Sequence, residues 1–134
     1  MSNFRIFEIA GSAMAAQSVR LNTVASNLAN ADSVAGSPDA VYRARMPVFQ
    51  TVLDAEGAAG VAVNRIAESP RPAEARYQPG HPMADAEGYV YAPSINPVEE
   101  MVNLMSSSRS YQSSVEAMNT AKELMMRTLN LGRN

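Results

Sequence analysis

The chain has 134 residues, 46% of them apolar, with a formal net charge of −2 and a pI near 5.4. That length suits one domain, or one domain with extensions, and the charge gives no electrostatic case for nucleic acid. Charged residues are 18% of the chain and there is no cysteine, which removes disulfides, thiolate catalysis and zinc–sulfur sites. The apolar stretches are too short and interrupted to cross a membrane. Glu8, Gln17 and Arg20 break the apolar run that a secretory signal needs.

Residues 3–31 contain no Pro and only Gly11, and they read as a first helix. A heptad series through Phe7, Ala10, Met14, Gln17, Leu21, Val24, Leu28 and Ala31 is apolar at all but Gln17. Such a stripe seeks a mate. The small run Ala10-Gly11-Ser12-Ala13, with Ala15 and Ala16, fits close packing on more than one face; alanine's helix propensity explains it equally well. Asn22, Asn27 and Asn30 are poor mid-helix residues. Asn27 and Asn30 suit a helix C-terminus, where they can hold the last carbonyls, or a polar contact to a neighbouring subunit.

The middle changes character. All eight prolines fall between Pro38 and Pro97, so no long helix fits there. Two β-like runs, Val41 to Leu53 and Gly60 to Ala67, bracket a Gly-containing turn. Pro47 confines the first to an edge or a bulge. A third short run spans Gly88 to Ala92, in which Tyr89 and Tyr91 share a strand face. Arg71 and Glu74 read as loop.

The last third carries the clearest local signals. Asn96 suits a helix N-cap, Pro97 the first helical position, and Glu99 and Glu100 the positive end of the helix dipole. No Pro or Gly follows until Gly132, which predicts roughly 35 residues of helix, about 52 Å long. Its heptad series is Met101, Leu104, Ser108, Tyr111, Val115, Met118, Lys122, Met125 and Leu129, apolar except at Ser108 and Lys122. The opposite face carries Asn103, Ser106, Ser110, Ser113, Ser114 and Asn119. A helix this long with one apolar stripe must lie against another long helix. The two stripes therefore predict an α+β chain: long N- and C-terminal helices pairing as a coiled coil around a small, β-hairpin-rich insert. The regions are 1–36 and 97–134 for the helical core and 37–96 for the insert, the outer faces of the helix pair being left to neighbours.

Several of these segments carry a resemblance. Asn27-Leu28-Ala29-Asn30-Ala31-Asp32, Tyr42-Arg43-Ala44-Arg45, His81-Pro82-Met83-Ala84-Asp85 with Gly88-Tyr89-Val90, Asn96 to Val102, Ser108 to Gln112 and Asn119 to Lys122 together resemble the bacterial flagellar axial proteins. Within that group the short length and the Tyr42 and His81 segments are most similar to the basal-body rod family, at its proximal end. The loop Ala35 to Ala40 departs from the pattern. The resemblance implies an axial-protein D0-like helical core. It implies a structural subunit that polymerises through its terminal helices, builds the proximal rod and transmits torque, without catalysis or cofactor. It further implies other rod proteins, like or near-homologous subunits, the adaptor at the inner-membrane ring and the flagellar type III export apparatus as partners. The place implied is the periplasmic span of the rod, reached without a cleaved signal peptide and without membrane insertion. The subunit-packing interface expected from the stripes and the asparagines is Phe7, Met14, Leu21, Val24, Asn27, Leu28, Asn30, Met101, Leu104, Tyr111, Val115, Met118, Met125 and Leu129.

The chemistry-bearing residues add little. His81, with Asp85 and Glu87, makes a weak metal cluster because it lacks a second ligand pair. Ser106 to Ser108 have no histidine near in sequence, and no phosphate loop or nucleophile elbow is present. No catalytic, metal or cofactor residue is assigned. The competing reading is a stand-alone dimeric binding module or small hydrolase, with a site in the β-rich insert and the helices as its stalk.

Overall fold

A computed structural model describes residues 2–55 and 57–132. Helix α1 spans Ser2–Ala29. A short 3-10 turn at Pro38–Ala40 leads into strands β1 Arg45–Leu53, β2 Ala59–Glu68, β3 Glu74–Tyr77 and β4 Tyr89–Ala92, and helix α2 Pro97–Leu131 closes the chain. The Asn96 side chain accepts from the N–H groups of Val98 and Glu99 with Pro97 behind it, so α2 starts where its capping residues dictate.

The two helices lie side by side and antiparallel. Asn27 bonds Glu100 near one end, and Gly11 faces Met118 near the other, where a Cβ on Gly11 would lie 4.0 Å from the methionine methyl. The other flank of α1 is not left to neighbours: the chain's own β1–β2 hairpin covers it. Ser12 Oγ donates to Ile9 O at 2.8 Å and accepts from Val61 N–H at 3.1 Å. Gly60 permits that approach, since a Cβ there would stand 3.2 Å from Ser12 Oγ. The small run in α1 thus serves two contacts, Gly11 toward α2 and Ser12 toward the hairpin.

Strands β1 and β2 pair antiparallel, with the register shifting between Val48 and Phe49. Pro47 costs no ladder bond because this sheet has two strands and each strand has an open edge. Strand β1 begins later than its apolar run, because Val41 to Ala44 belongs to the junction described below. Strands β3 and β4 pair with Glu74 opposite Ala92 and Tyr77 opposite Tyr89. Glu74, expected in a loop, therefore opens a strand. Four residues between prolines carry no usable alternation, and pairing with β4 decides their conformation. Ala35 extends this sheet, exchanging two backbone bonds with Tyr91 at 2.8 and 2.9 Å.

The turn before β4 is organised by Asp85. Its Oδ1 accepts from the N–H groups of Glu87 and Tyr89, and its Oδ2 from Tyr91 Oη–H, each at 2.9 Å. Gly88 completes the turn at φ 87°, and a Cβ there would come within 2.9 Å of the Tyr77 ring. Tyr77 and Tyr89 meet edge to face, with ring centroids 5.3 Å apart.

The end of α1, the entry to β1 and the start of α2 meet at Asn27, which is 1% exposed. Asn27 Nδ2 donates to Arg45 O at 2.9 Å and to Glu100 Oε2 at 3.0 Å. Its Oδ1 accepts from Arg45 N–H and from Tyr42 Oη–H, both at 2.9 Å. A carboxamide has two hydrogens to give and one oxygen able to accept twice, and all four are used. Asn30, one turn on, does what a helix-end asparagine was expected to do: its Nδ2 donates to Ser26 O at 2.8 Å.

Asn27→Ala strips these partners of their bonds in a buried place. The expected loss is about 2–4 kcal/mol of folding stability, read from denaturant melts. Asn27→Asp keeps the volume but has no hydrogens for Arg45 O and adds a carboxylate beside Glu100, so it destabilises as well.

Asp85 gives a pH dependence. The Tyr89 N–H bond, helped by the Tyr91 hydroxyl, holds its carboxyl below the ordinary 3.8. A depressed folded-state value means stability that is whole above 3.8 and lost as pH falls through the lower folded value. Acid melts of the chain and of Asp85→Asn should therefore converge below that range and stay apart above it.

Candidate assembly interface

The residues expected to form a packing interface fall into two sets. Val24 is buried, and Phe7, Met14, Leu21 and Leu28 on α1 are half-buried, as are Leu104, Tyr111, Val115, Met118 and Met125 on α2. Of these, Met118 faces Gly11 across the helix pair. Met101 and Leu129 are 54% and 63% exposed. Glu100, turned in to reach Asn27, places Met101 about 100° around the helix from the seam. Leu129 sits in the part of α2 that outruns its partner, since α2 has 35 residues and α1 has 28.

The tightest part of the seam lies at positions the heptad stripe did not include. Ser107 is fully buried and Ala121 is 2% exposed, each one residue before the Ser108 and Lys122 of the heptad series. Ser107 is harmless there because its hydroxyl donates to Asn103 O, one turn back, at 2.7 Å. Ala10, Ala16 and Thr23 of α1 are also buried. Asn103, Ser110 and Ser114, expected on the far face of α2, are half-buried. A search for large apolar residues passes over such positions. The usable signal is small residues recurring at helical spacing, which lets two backbones approach.

Full burial in this chain goes to few side chains, mostly small or polar. The largest fully buried side chains are Val90, Asn27 and Ser107. The buried apolar set contains only alanines and valines among the described residues. Large apolar residues stand outside. Val98, Met101, Val102 and Met105 form an exposed row at spacings of three and four on the side of α2 away from α1, with exposures of 54–68%. Phe4, Leu129 and Leu131 crowd the open end of the helix pair at 71%, 63% and 78%. Contiguous exposed apolar residues of this size mark a surface that binds something.

Among the described residues no arrangement for catalysis competes with this surface. His81 Nδ1 accepts from Met83 N–H at 3.0 Å, and the Asp85 carboxylate is filled by its own turn and Tyr91. Among the described residues no three His, Cys, Asp or Glu side chains are grouped to hold a metal. Nor is any helix long and apolar enough to cross a membrane.

The sequence model described as flagella basal body rod protein matches residues 7–36, and that described as flagellar basal body rod FlgEFG protein C-terminal matches residues 86–131. The flagellar basal-body rod protein FlgC of Salmonella typhimurium (strain LT2) is 52% identical over 134 residues, covering 99% of this chain and 100% of that protein. The FlgC protein of Escherichia coli O6:H1 is 56% identical over 135 residues with the same coverage. That of Bacillus subtilis (strain 168) is 35% identical over 150 residues, again covering 99% and 100%. The chain belongs to the FlgC family of flagellar basal-body rod proteins.

Proposed function

We propose that this rod subunit polymerises through its terminal helices to build the proximal rod, and that motor torque passes through the packed helices. The observation that carries the reading is the apolar surface left in water: Val98, Met101, Val102 and Met105 on α2, with Phe4, Leu129 and Leu131 at the open end, are 54–78% exposed. A helix pair with its largest apolar side chains in water has not finished burying its surface. Neighbouring subunits, like this one or nearly so, would finish it. In the rod the pair takes up the coiled coil of an axial-protein D0-like core, and the insert 37–96 sets lateral contacts. The interface joins the half-buried row of Phe7, Met14, Leu21, Leu28, Leu104, Tyr111, Val115, Met118 and Met125 to the exposed Met101 and Leu129. Val24, Asn27 and Asn30 hold the helix that presents it.

The partners in this reading are other rod proteins, the adaptor at the inner-membrane ring and, on the way out, the flagellar type III export apparatus. The subunit sits in the periplasmic span and is not inserted in the membrane. In the described turn before β4, His81 and Asp85 are engaged by backbone N–H groups, which gives a hydrolase or ligand site there no support.

Met118→Asp places a carboxylate against Gly11 in the helix seam, costs about 2–4 kcal/mol and should abolish motility in a complemented strain. Leu28→Asp should do the same. Glu74→Ala should leave motility intact, because its ion pair with Arg76, at 3.6 Å, is exposed. Normal swimming with Met118→Asp would refute the packing role.

A further inference from the structure

A groove runs past the Asn27 junction, between the insert and the first turns of α2. Its wide end holds about 360 Å³ and is walled by Val24, Met46, Pro47 and Phe49. It continues past Ile95 through a middle section of about 170 Å³, which shares Met46, Glu99 and Glu100 with the wide end. Ser69, Arg71 and Ser94 are common to that section and to a narrow end of about 10 Å³ beside Arg43. The narrow end has room for about one water-sized atom.

The lining is basic in an acidic chain. The chain has 11 cationic and 13 acidic residues, yet Arg20, Arg43, Arg45 and Arg71 line the groove against Glu99 and Glu100. Glu100 is already turned in to Asn27. Arg43 and Arg71 line the narrow end, and no carboxylate does. Asp39, Glu68 and Glu74 neighbour the groove in sequence without lining it, and Glu74 pairs with Arg76. Among the described residues none of the four arginines makes an ion pair. Arg45 lies over the Tyr42 ring, 5.7 Å from its centre. Ser69, 8% exposed, sets a hydroxyl in the narrow end, where its Oγ accepts from Arg71 N–H at 3.3 Å.

We propose that this groove docks an acidic and apolar peptide segment of a partner protein. A carboxylate enters the narrow end between Arg43 and Arg71, and a large apolar side chain fills the wide end against Val24 and Phe49. Two guanidinium groups lining one crease repel each other until an anion lies between them, and a carboxylate can accept from both. The apolar walls reward a large apolar side chain, and the excess of arginine selects an acidic partner over a basic one. The inference goes beyond the rod-subunit reading, because it assigns a partner's chemistry to a face that polymerisation through the helices does not require.

Fluorescence anisotropy on the full chain tests it, with a labelled short peptide carrying glutamates at one end and leucine and phenylalanine at the other. Binding should saturate, and should weaken as salt is raised. Arg43→Glu with Arg71→Glu should weaken it more than about ten-fold. Both side chains are exposed, and unchanged melts will show that the fold is kept. Arg65→Glu with Arg109→Glu makes the same change of net charge away from the groove and should leave binding within about two-fold. The same peptide with glutamine in place of glutamate should not bind. A peptide that does not bind, that binds as well in its glutamine form, or that loses affinity alike with both pairs of variants overturns the groove. Self-association of the unmodified chain that Arg43→Glu with Arg71→Glu abolishes also overturns it, because the occupant is then a second copy. The rod-subunit reading, tested by Met118→Asp, stands in each case.

Discussion

One buried carboxamide decides how this chain is put together. Residue 27 lies on α1, residues 42–45 lead into the hairpin and residue 100 begins α2, so the three segments that must be brought together are far apart in sequence. Asn27 closes all of them with four bonds of 2.9–3.0 Å. No other side chain would serve. Aspartate has no hydrogens to give, serine has one, and glutamine's extra methylene would move the amide away from the helix. Local helix-end chemistry is left to Asn30, three residues on, which frees Asn27 for long-range contacts. With the junction satisfied, α2 must leave antiparallel to α1, and its seam is set from that end.

What the junction positions is a helix pair with a small-residue interior. Backbones separated by alanine, glycine and serine approach closely, which yields contact but little buried apolar area. The pair is therefore held at one end by directed hydrogen bonds and along its length by shallow packing. The hairpin adds a second support through Ser12 and Gly60. At the far end Phe4, Leu129 and Leu131 stand in water.

Much of this was legible in the sequence, for physical reasons that differ by element. The start of α2 was readable because capping is local: Asn96, Pro97 and two glutamates suffice. The α1 stripe was readable because all its members, from Phe7 to Ala31, point to one buried arc. The β1–β2 hairpin was readable from its apolar runs and its Gly-containing turn. The α2 stripe was only partly readable. A seven-residue repeat drifts against a 3.6-residue helix, and large apolar residues were taken as the buried ones, whereas Ser107 and Ala121 hold the tightest positions. Strand β3 was illegible because pairing with β4, and not its own four residues, makes it a strand. The long-range role of Asn27 was illegible too, since nothing nearby in sequence hints that residues 45 and 100 will supply its partners.

The unequal ends of the helix pair bear on how such a subunit can be both oriented and open to neighbours. A seam packed with large side chains throughout would make a stable monomer with little reason to polymerise. A seam with no fastening would leave the two terminal segments free to find wrong partners. Here the hydrogen-bonded junction fixes relative direction and register at one end, by groups that need water excluded from one residue only. Large apolar side chains stay in water on the outer face of α2 and at the open end. Orientation is thus encoded within the chain, whereas the area that stabilises the helices is encoded between chains. A subunit built this way would stiffen as neighbours covered those faces, because each contact would bury side chains that the isolated pair holds in water. Stiffness would then belong to the assembly, and the single chain has only to present its faces in the right direction.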